Sequence, residues 1–187
     1  MAERVATTSL ASLHRLVWTA LMAALIAVGA FVHFPLGPVP ISLQVLFVLL
    51  AGFLLGPLAG ASAVGLYLLA GLAGLPVFSG GTSGLGHILG PTGGYLLGFL
   101  LTPLITGQAR RLSREGPPAW AVLLALAVAG YAPIYGIGIP WLKASLDIGW
   151  GKAVATGMLP FLVSDCLQVG ASAATARFVR LRFGGGP

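Results

Sequence analysis

One acidic side chain, Asp165, lies within an otherwise apolar segment, with Gln168 three residues after it. This spacing places both side chains on one face of a helix, where they offer acceptors and donors suited to an amide or ureido group. If the helix begins near Pro160 or Ser164, Asp165 lies in its first turn, where the helix dipole favours a carboxylate and Ser164 can act as the cap. The alternative is a capping or paired aspartate that binds no ligand.

Three further side chains are candidates for a binding pocket. Gln44 lies just inside a predicted span, where it either faces a pocket or bonds to a helix end. Tyr95 follows the Gly- and Pro-rich turn 90–94, which can aim its ring inward, although aromatic residues near helix ends also form membrane-interface belts. The ring of Phe78 either stacks on a ligand or packs in the protein interior. Ser42 is expected to be a plain N-cap.

Other kinds of site find little support. No second carboxylate accompanies Asp165 for acid–base chemistry, and the separation of His33 and His87 matches no metal-ligand spacing. Residues 84–86 lack the further glycine and the lysine of nucleotide-binding loops. The single cysteine, Cys166, forms no intramolecular disulfide. We therefore expect a binding protein without a metal or cofactor, and not an enzyme.

The composition is that of a membrane protein. The 187-residue chain is 57% hydrophobic and 7% charged, whereas soluble domains carry about 25% charged residues. Its mean hydropathy is +0.98. Long stretches without charge, divided by Gly and Pro, predict six transmembrane helices and hence an all-α integral membrane bundle. The predicted spans are 16–34, 42–56, 58–73, 92–109, about 119–140 and about 153–178.

The distribution of basic residues predicts the orientation of the bundle. Six spans place both termini on one side, and that side carries eight basic residues against two, Lys143 and Lys152, on the other. The positive-inside rule therefore predicts cytoplasmic termini. We interpret residues 1–187 as a single membrane domain, with residues 1–12 frayed and residues 184–187 as a tail.

The segment 75–91 is unusual for a connection between membrane helices. It is too broken by Gly and Pro for a helix, and too apolar for a solvated loop. Irregular backbone at membrane depth is tolerated where it is buried in protein or lines a cavity. We therefore predict a loop folded into the mouth of the bundle, whose glycines, Gly80 and Gly81 among them, let backbone approach a ligand. The alternative is an external hairpin that covers helix ends.

The first predicted span carries small residues at helical spacing. Pairs four residues apart make faces that let two helices approach closely. Such a surface either docks another membrane subunit or packs within the bundle. The two pairs are Ala20 with Ala24 and Ala23 with Ala27.

Several segments resemble one family. They are TALMAALIAVGAF (19–31), GPVPISLQVLFVLLAGFLLGP (37–57), GLPVFSGGTSGLGHILGPTGGYLLGF (74–99) and LPFLVSDCLQ (159–168). They resemble BioY, the biotin-specific substrate-binding S component of energy-coupling-factor (ECF) vitamin transporters. The resemblance covers nearly the whole chain, and the segments GPVPISLQ and LPVFSGG…GPTGGY are its most specific parts.

The resemblance implies a fold, a ligand and partners. It implies six helices, an outward-facing biotin pocket capped by loops, and docking through the small-residue face of the first helix. The partners implied are a transmembrane coupling subunit and a pair of ATPases, whose ATP hydrolysis topples the S component in the bilayer to release the vitamin inside. The matching positions make pocket candidates of Gln44, Thr82, Tyr95 and Asp165.

The chain departs from the family pattern at three positions. Some members have Lys where Gln168 stands, Asn where Thr82 stands, and Arg where Leu96 stands. The two missing cations would offset Asp165 or a ligand carboxylate, and His87 is a candidate for a partial substitute.

Two functions follow as expectations. The first is a vitamin-binding subunit for biotin in the cell membrane of a prokaryote. The second is a stand-alone carrier coupled to protons or ions, in which Asp165 titrates. An integral-membrane enzyme is disfavoured because paired catalytic groups are lacking.

Overall fold

The computed structural model describes residues 2–35, 37–112 and 118–183, and the side chains within 12–35, 37–112 and 118–182. This part of the chain is a helical bundle with one short ribbon, in which β1 (His33–Phe34) pairs antiparallel with β2 (Ile41–Ser42). The helices are α1 (Ala2–Phe31), α2 (Gln44–Leu55), α3 (Pro57–Leu72), α4 (Leu85–Leu89), α5 (Gly93–Thr106), α6 (Gln108–Leu112), α7 (Trp120–Leu146), α8 (Trp150–Gly157) and α9 (Leu162–Phe183).

The described helices cross six times between two ends of the bundle. Helix α1 leads to the end where α2 begins, because the amide of Leu43 bonds to the carbonyls of Gly29 and Val32. Helices α2 and α3 are antiparallel, since Gln44 at the start of α2 bonds to Tyr67 near the end of α3. Helices α5 and α7 are antiparallel as well, since Gly94 near the start of α5 lies beside Trp141 near the end of α7. Helix α9 packs beside α2 and brings Arg180 to the carbonyl of Phe53, at the end where the chain began. The predicted six-helix membrane fold is therefore confirmed.

The two ends of the bundle differ in charge. Arg15, Arg110 and Arg111 line one groove beside the α2–α3 turn, and we refer to this end as the basic end. Asp165 lies at the opposite end, which we refer to as the pocket end. Both the first and the last described helix have their outer termini at the basic end. The predicted tail 184–187 lies outside the described residues, whereas α1 continues as helix through the segment predicted to be frayed.

The helices that cross the bundle differ in length. Three described segments are long and apolar enough to cross a membrane: Ser12–Phe31, Trp120–Leu146 and Trp150–Arg182. Helices α2 and α3 have 12 and 16 residues. These correspond to about 18 and 24 Å, less than the ~30 Å of hydrocarbon in a bilayer. Most of α2 is buried by other helices, but α3 exposes leucines to the surroundings of the bundle.

Several predicted boundaries were wrong, and proline explains the largest difference. The sixth span is divided by a 3-10 turn at Leu159–Phe161, because Pro160 has no N–H for a continuous helix. The fifth span continues through Pro140 to Leu146, so Lys143 lies in a helix and its ammonium group is 5.5 Å from the ring centroid of Trp150. The first span ends at Phe31, where the chain enters the ribbon.

The turn between α2 and α3 is completed by arginines from other helices. Pro57 lacks an N–H, so the last carbonyls of α2 need other donors. Arg180 donates to the carbonyl of Phe53 at 2.8 Å, and Arg110 donates to the carbonyl of Leu55 at 3.2 Å. These bonds fasten α6 and α9 to the α2–α3 turn at the basic end.

Glycines allow α5 and α7 to pack at close range. A Cβ on Gly98 would lie 2.5 Å from the Cα of Ile134, and one on Gly138 would lie 2.6 Å from the ring of Tyr95. The two helices therefore touch backbone to backbone. This close approach brings Tyr95 on α5 beside the tyrosines of α7, at the pocket end.

Candidate ligand-binding site

A cavity opens at the pocket end between α2, α5, α7 and α9. It encloses about 60 Å³. That space holds only about two to four water molecules, so a vitamin-sized ligand requires the mouth of the cavity to widen. The polar lining comes from Ser42, Gln44, Ser79, His87, Thr92, Tyr95, Tyr131, Tyr135, Ser164, Asp165 and Gln168.

Asp165 lies in the first turn of α9, as predicted, and its carboxylate lines the cavity. The hydroxyl of Tyr135 donates to its Oδ2 atom. No lysine or arginine of the described residues pairs with it. Ser164 is not the predicted cap, because it lies inside the helix and its hydroxyl donates to the carbonyl of Phe161. Among the described groups, the dipole of α9 and the hydroxyl of Tyr135 therefore stabilise the negative charge of Asp165.

Three tyrosines line the cavity together with this carboxylate. Tyr131 and Tyr135 are one turn apart on α7, with ring centroids 6.0 Å apart and planes inclined by 21°. The ring of Tyr95 meets that of Tyr135 edge-on, at 6.4 Å. The hydroxyl of Tyr95 donates to the carbonyl of Gly157 at 2.9 Å, which ties α5 to the end of α8. The hydroxyl of Tyr131 has no hydrogen-bond partner among the described residues.

Gln44 is held in the cavity wall by a network of hydrogen bonds. Its Nε2 atom donates to the hydroxyl of Tyr67 at 2.6 Å, and its Oε1 atom accepts from Ser42 and from Ser79, each at 3.1 Å. Ser42 is not the predicted N-cap of α2, because Leu43 occupies that position. Through Ser79, this network joins the start of α2 to the segment 75–91.

Gln168 links α9 to the beginning of α2. Its Oε1 atom accepts from the amide of Leu46 at 2.8 Å, and its Nε2 atom donates to the carbonyl of Ser42 at 3.2 Å. The first amides of a helix lack partners within the helix. Gln168 therefore caps α2 from another helix, and this structure uses both ends of its amide within the fold.

Replacement of Gln168 by leucine should lower the stability of the protein. It removes two hydrogen bonds and leaves the half-buried amide of Leu46 and carbonyl of Ser42 without these partners, at about 1 kcal/mol each. The midpoint of thermal unfolding in detergent should fall clearly. Gln108→Leu is the matched control, because among the residues that the structure describes the Gln108 side chain bonds only to Leu104 of the preceding helix. Equal midpoints for the two variants would contradict this role of Gln168.

The segment 75–91 covers the cavity through buried aromatic contacts. Phe78 is fully buried, meets Tyr67 edge-on at 5.6 Å and stacks on His87 at 4.9 Å. His87 lines the cavity, while its ring nitrogens contact the hydroxyls of Thr82 and Thr92 at 2.8 and 3.3 Å. As predicted, this segment folds over the mouth of the bundle. The prediction that it contains no helix was wrong, because α4 forms within it.

Two physical features keep this segment compact. Gly80 and Gly81 have φ angles of 77° and 71°, a region that side-chain-bearing residues rarely adopt. Burial lowers the pKa of His87 below its ordinary value, so the imidazole is neutral at pH 7 and can stack on Phe78 without a desolvated charge.

The structure brings five of the nine predicted binding residues to the cavity wall. These are Gln44, His87, Tyr95, Asp165 and Gln168. The other four belong to the covering segment: Phe78 is in the core, whereas Gly80, Gly81 and Thr82 are exposed. Sequence reasoning missed Ser79, Tyr131 and Tyr135. Two tyrosines four residues apart in an apolar span were the available signal, because they share one helix face.

The small residues of α1 face in two directions. Ala20 and Ala24 are exposed on the outer surface, whereas Ala23 is buried in the bundle and Ala27 is half-buried. The described residues contain no group of three or more His, Cys, Asp or Glu side chains that could hold a metal ion.

Comparison with known proteins identifies the family. A model of the BioY family matches residues 3–184. The chain belongs to the BioY family. It is similar to the probable biotin transporter BioY of Pyrococcus horikoshii, with 40% identity over 89% of this chain and 93% of that protein. It is equally similar to the biotin transporter BioY of Thermotoga maritima, with 40% identity over 88% of this chain and 94% of that protein.

A solved structure shares the fold. The crystal structure of the S-component for biotin from an ECF-type ABC transporter matches with a TM-score of 0.82 and 33% identity, over 94% of each chain. The BioY family is a family of prokaryotic membrane transporters, and the apolar helices of this chain agree with that class.

Proposed function

We propose that this protein is the substrate-binding membrane subunit of a vitamin transporter and that its ligand is biotin. The observation that carries the proposal is the carboxylate of Asp165, which lies in a tyrosine-lined cavity without a described cationic partner. An acceptor in mostly apolar surroundings suits a ureido ring joined to an apolar chain. Membership of the BioY family supports biotin as the ligand.

We propose different roles for the residues of the cavity. Asp165 accepts an N–H of the ureido group, and the ring of Tyr95 forms an apolar wall. Gln44 and Gln168 keep the wall in place through α2. The covering segment, with Phe78, Gly80, Gly81, Thr82 and His87, closes over the bound vitamin.

Energy for transport is proposed to come from an ECF module. The sequence has no nucleotide-binding loop. The exposed small pair, Ala20 and Ala24, is the surface of α1 that remains open for a transmembrane coupling subunit, which would act with a pair of ATPases. Ala23 and Ala27 face the bundle and are proposed to support this surface from behind.

The orientation is proposed from charge. The basic end, with the arginines of α6 and α9, would lie in the cytoplasm of the prokaryotic cell, and the pocket end would face outward. Biotin would then enter from the outer side and both termini would be cytoplasmic.

Calorimetry on the purified protein in detergent tests the ligand. We expect biotin to bind with a dissociation constant in the micromolar range or tighter, with one site per chain. Absence of heat with biotin, together with tight binding of a different vitamin, would reassign the substrate. Thiamine serves as the control because it lacks a ureido ring.

A second candidate function is a stand-alone carrier coupled to protons. It is favoured because no lysine or arginine of the described residues lies beside Asp165. Such a carboxylate can take up a proton, as a stand-alone carrier would require. If the protein is such a carrier, dissipating the proton gradient should abolish uptake in cells that still hold ATP. If it is an ECF subunit, depletion of ATP should abolish uptake while the gradient persists.

A further inference from the structure

Most polar groups of the cavity are already bonded within the fold. The Gln44 and Gln168 amides, the Tyr95 hydroxyl and both ring nitrogens of His87 all have partners. A ligand gains little from groups that must first break such bonds. The groups with free capacity therefore matter most for recognition.

Tyr131 is the exception among the described residues. Its side chain is 8% exposed, and its hydroxyl is buried in the cavity wall without a hydrogen-bond partner. A hydroxyl removed from water without a partner destabilises the folded protein. Buried polar groups in native proteins normally have partners, so this one needs an explanation.

The position of Tyr131 points to a ligand. Tyr135, one turn later on the same face of α7, donates to Oδ2 of Asp165, while no described side chain donates to Oδ1. The Tyr131 hydroxyl lies near the same carboxylate and interacts with it, but the two groups are not placed for a hydrogen bond of ordinary geometry. The cavity therefore presents a free acceptor and a free hydroxyl donor beside each other.

We propose that the Tyr131 hydroxyl donates to the ureido carbonyl oxygen of bound biotin, beside Asp165, which accepts a ureido N–H. This inference rests on the proposed function. A ureido group has two N–H donors and one carbonyl acceptor, which complement the two free groups. Tyr131 thereby selects a cyclic urea over a ring of the same shape that lacks the carbonyl oxygen.

The test compares two ligands on two proteins. Tyr131→Phe removes only the hydroxyl, and should weaken biotin binding about ten-fold, the effect of one lost hydrogen bond. The probe is 2-thiobiotin, in which a thiocarbonyl sulfur, a much weaker acceptor, replaces the carbonyl oxygen. The affinity for 2-thiobiotin should change by less than about two-fold, because sulfur accepts only weakly from the hydroxyl.

Stability supplies the second readout. Because the Tyr131 hydroxyl has no partner in the unliganded fold, Tyr131→Phe should leave the unfolding midpoint unchanged or raise it. Tyr67→Phe is the matched control, since the Tyr67 hydroxyl accepts from Gln44, and its loss should lower the midpoint. Gel filtration selects the folded fraction of each variant before titration.

The remaining outcomes distinguish failure of the proposed function from failure of the inference about Tyr131. If the unsubstituted protein does not bind biotin, the proposed function fails. If it binds biotin and Tyr131→Phe binds equally well, the inference alone fails. Equal losses for biotin and 2-thiobiotin, or a lower midpoint for Tyr131→Phe, would assign Tyr131 a structural role and would also overturn the inference.

Discussion

Replacement of Asp165 by asparagine should weaken biotin binding at least about 30-fold, or ~2 kcal/mol. The substitution keeps the size of the side chain and removes its negative charge. A neutral amide accepts more weakly than a carboxylate, and its NH₂ group turns a donor toward the N–H groups of the ligand. The remaining oxygen still accepts from Tyr135, so the bundle should fold.

Asp147→Asn is the matched control for this experiment. Asp147 is exposed, lies at the same end of the bundle and has a φ of 50°, a conformation that asparagine tolerates well. Its replacement should leave affinity unchanged in equilibrium titrations. If Asp165→Asn retained full affinity and lost only the coupling of uptake to a gradient, the carrier function would replace the proposed one.

Replacement of Gly71 by alanine should release the segment that covers the cavity. A Cβ at this position of α3 would collide with the ring of Phe78. That ring cannot move aside easily, because it is fully buried between Tyr67 and His87. Overpacking of this kind costs about 1–3 kcal/mol, and displacement of Phe78 relieves part of it.

The expected result is a local one. Biotin affinity should fall by roughly ten-fold if closure contributes ~1.4 kcal/mol, and hydrogen exchange should rise in residues 75–91 while α7 and α9 remain protected. Gly65→Ala on the same helix is the control. Its Cβ would lie 3.7 Å from Leu100, an ordinary contact, and alanine is the better helix former by about 0.5–1 kcal/mol. Equal exchange in the two variants would show that Phe78 does not hold the segment closed.

The membrane architecture could be predicted from the sequence because a charge in hydrocarbon is expensive wherever the chain folds. The long uncharged stretches therefore mark the helices, and Asp165 stood out for the same reason. The segment 75–91 was also recognisable, since its glycines and apolar residues fit neither a helix nor a solvated loop.

Details that depend on which helices touch could not be predicted. Gln168 has the spacing of a pocket residue relative to Asp165, but its amide caps α2, more than 100 residues earlier in the chain. The division of the last span at Pro160 depended on a competition between local propensity and packing, since Pro133 and Pro140 are accommodated within α7. The spacing of Tyr131 and Tyr135 marks a shared helix face, but the missing hydrogen-bond partner of Tyr131 is visible only in the structure.

The short helix α3 has a consequence for the surrounding lipid. It exposes Leu58, Leu66 and Leu69, yet spans only about 24 Å along its axis. Acyl chains beside this face must compress to match it, at fractions of a kcal/mol per ångström of mismatch. The bundle is thus encircled by an annulus of uneven thickness, thinnest along one flank. We expect the deformation of the bilayer, and its elastic cost, to be greatest along that flank.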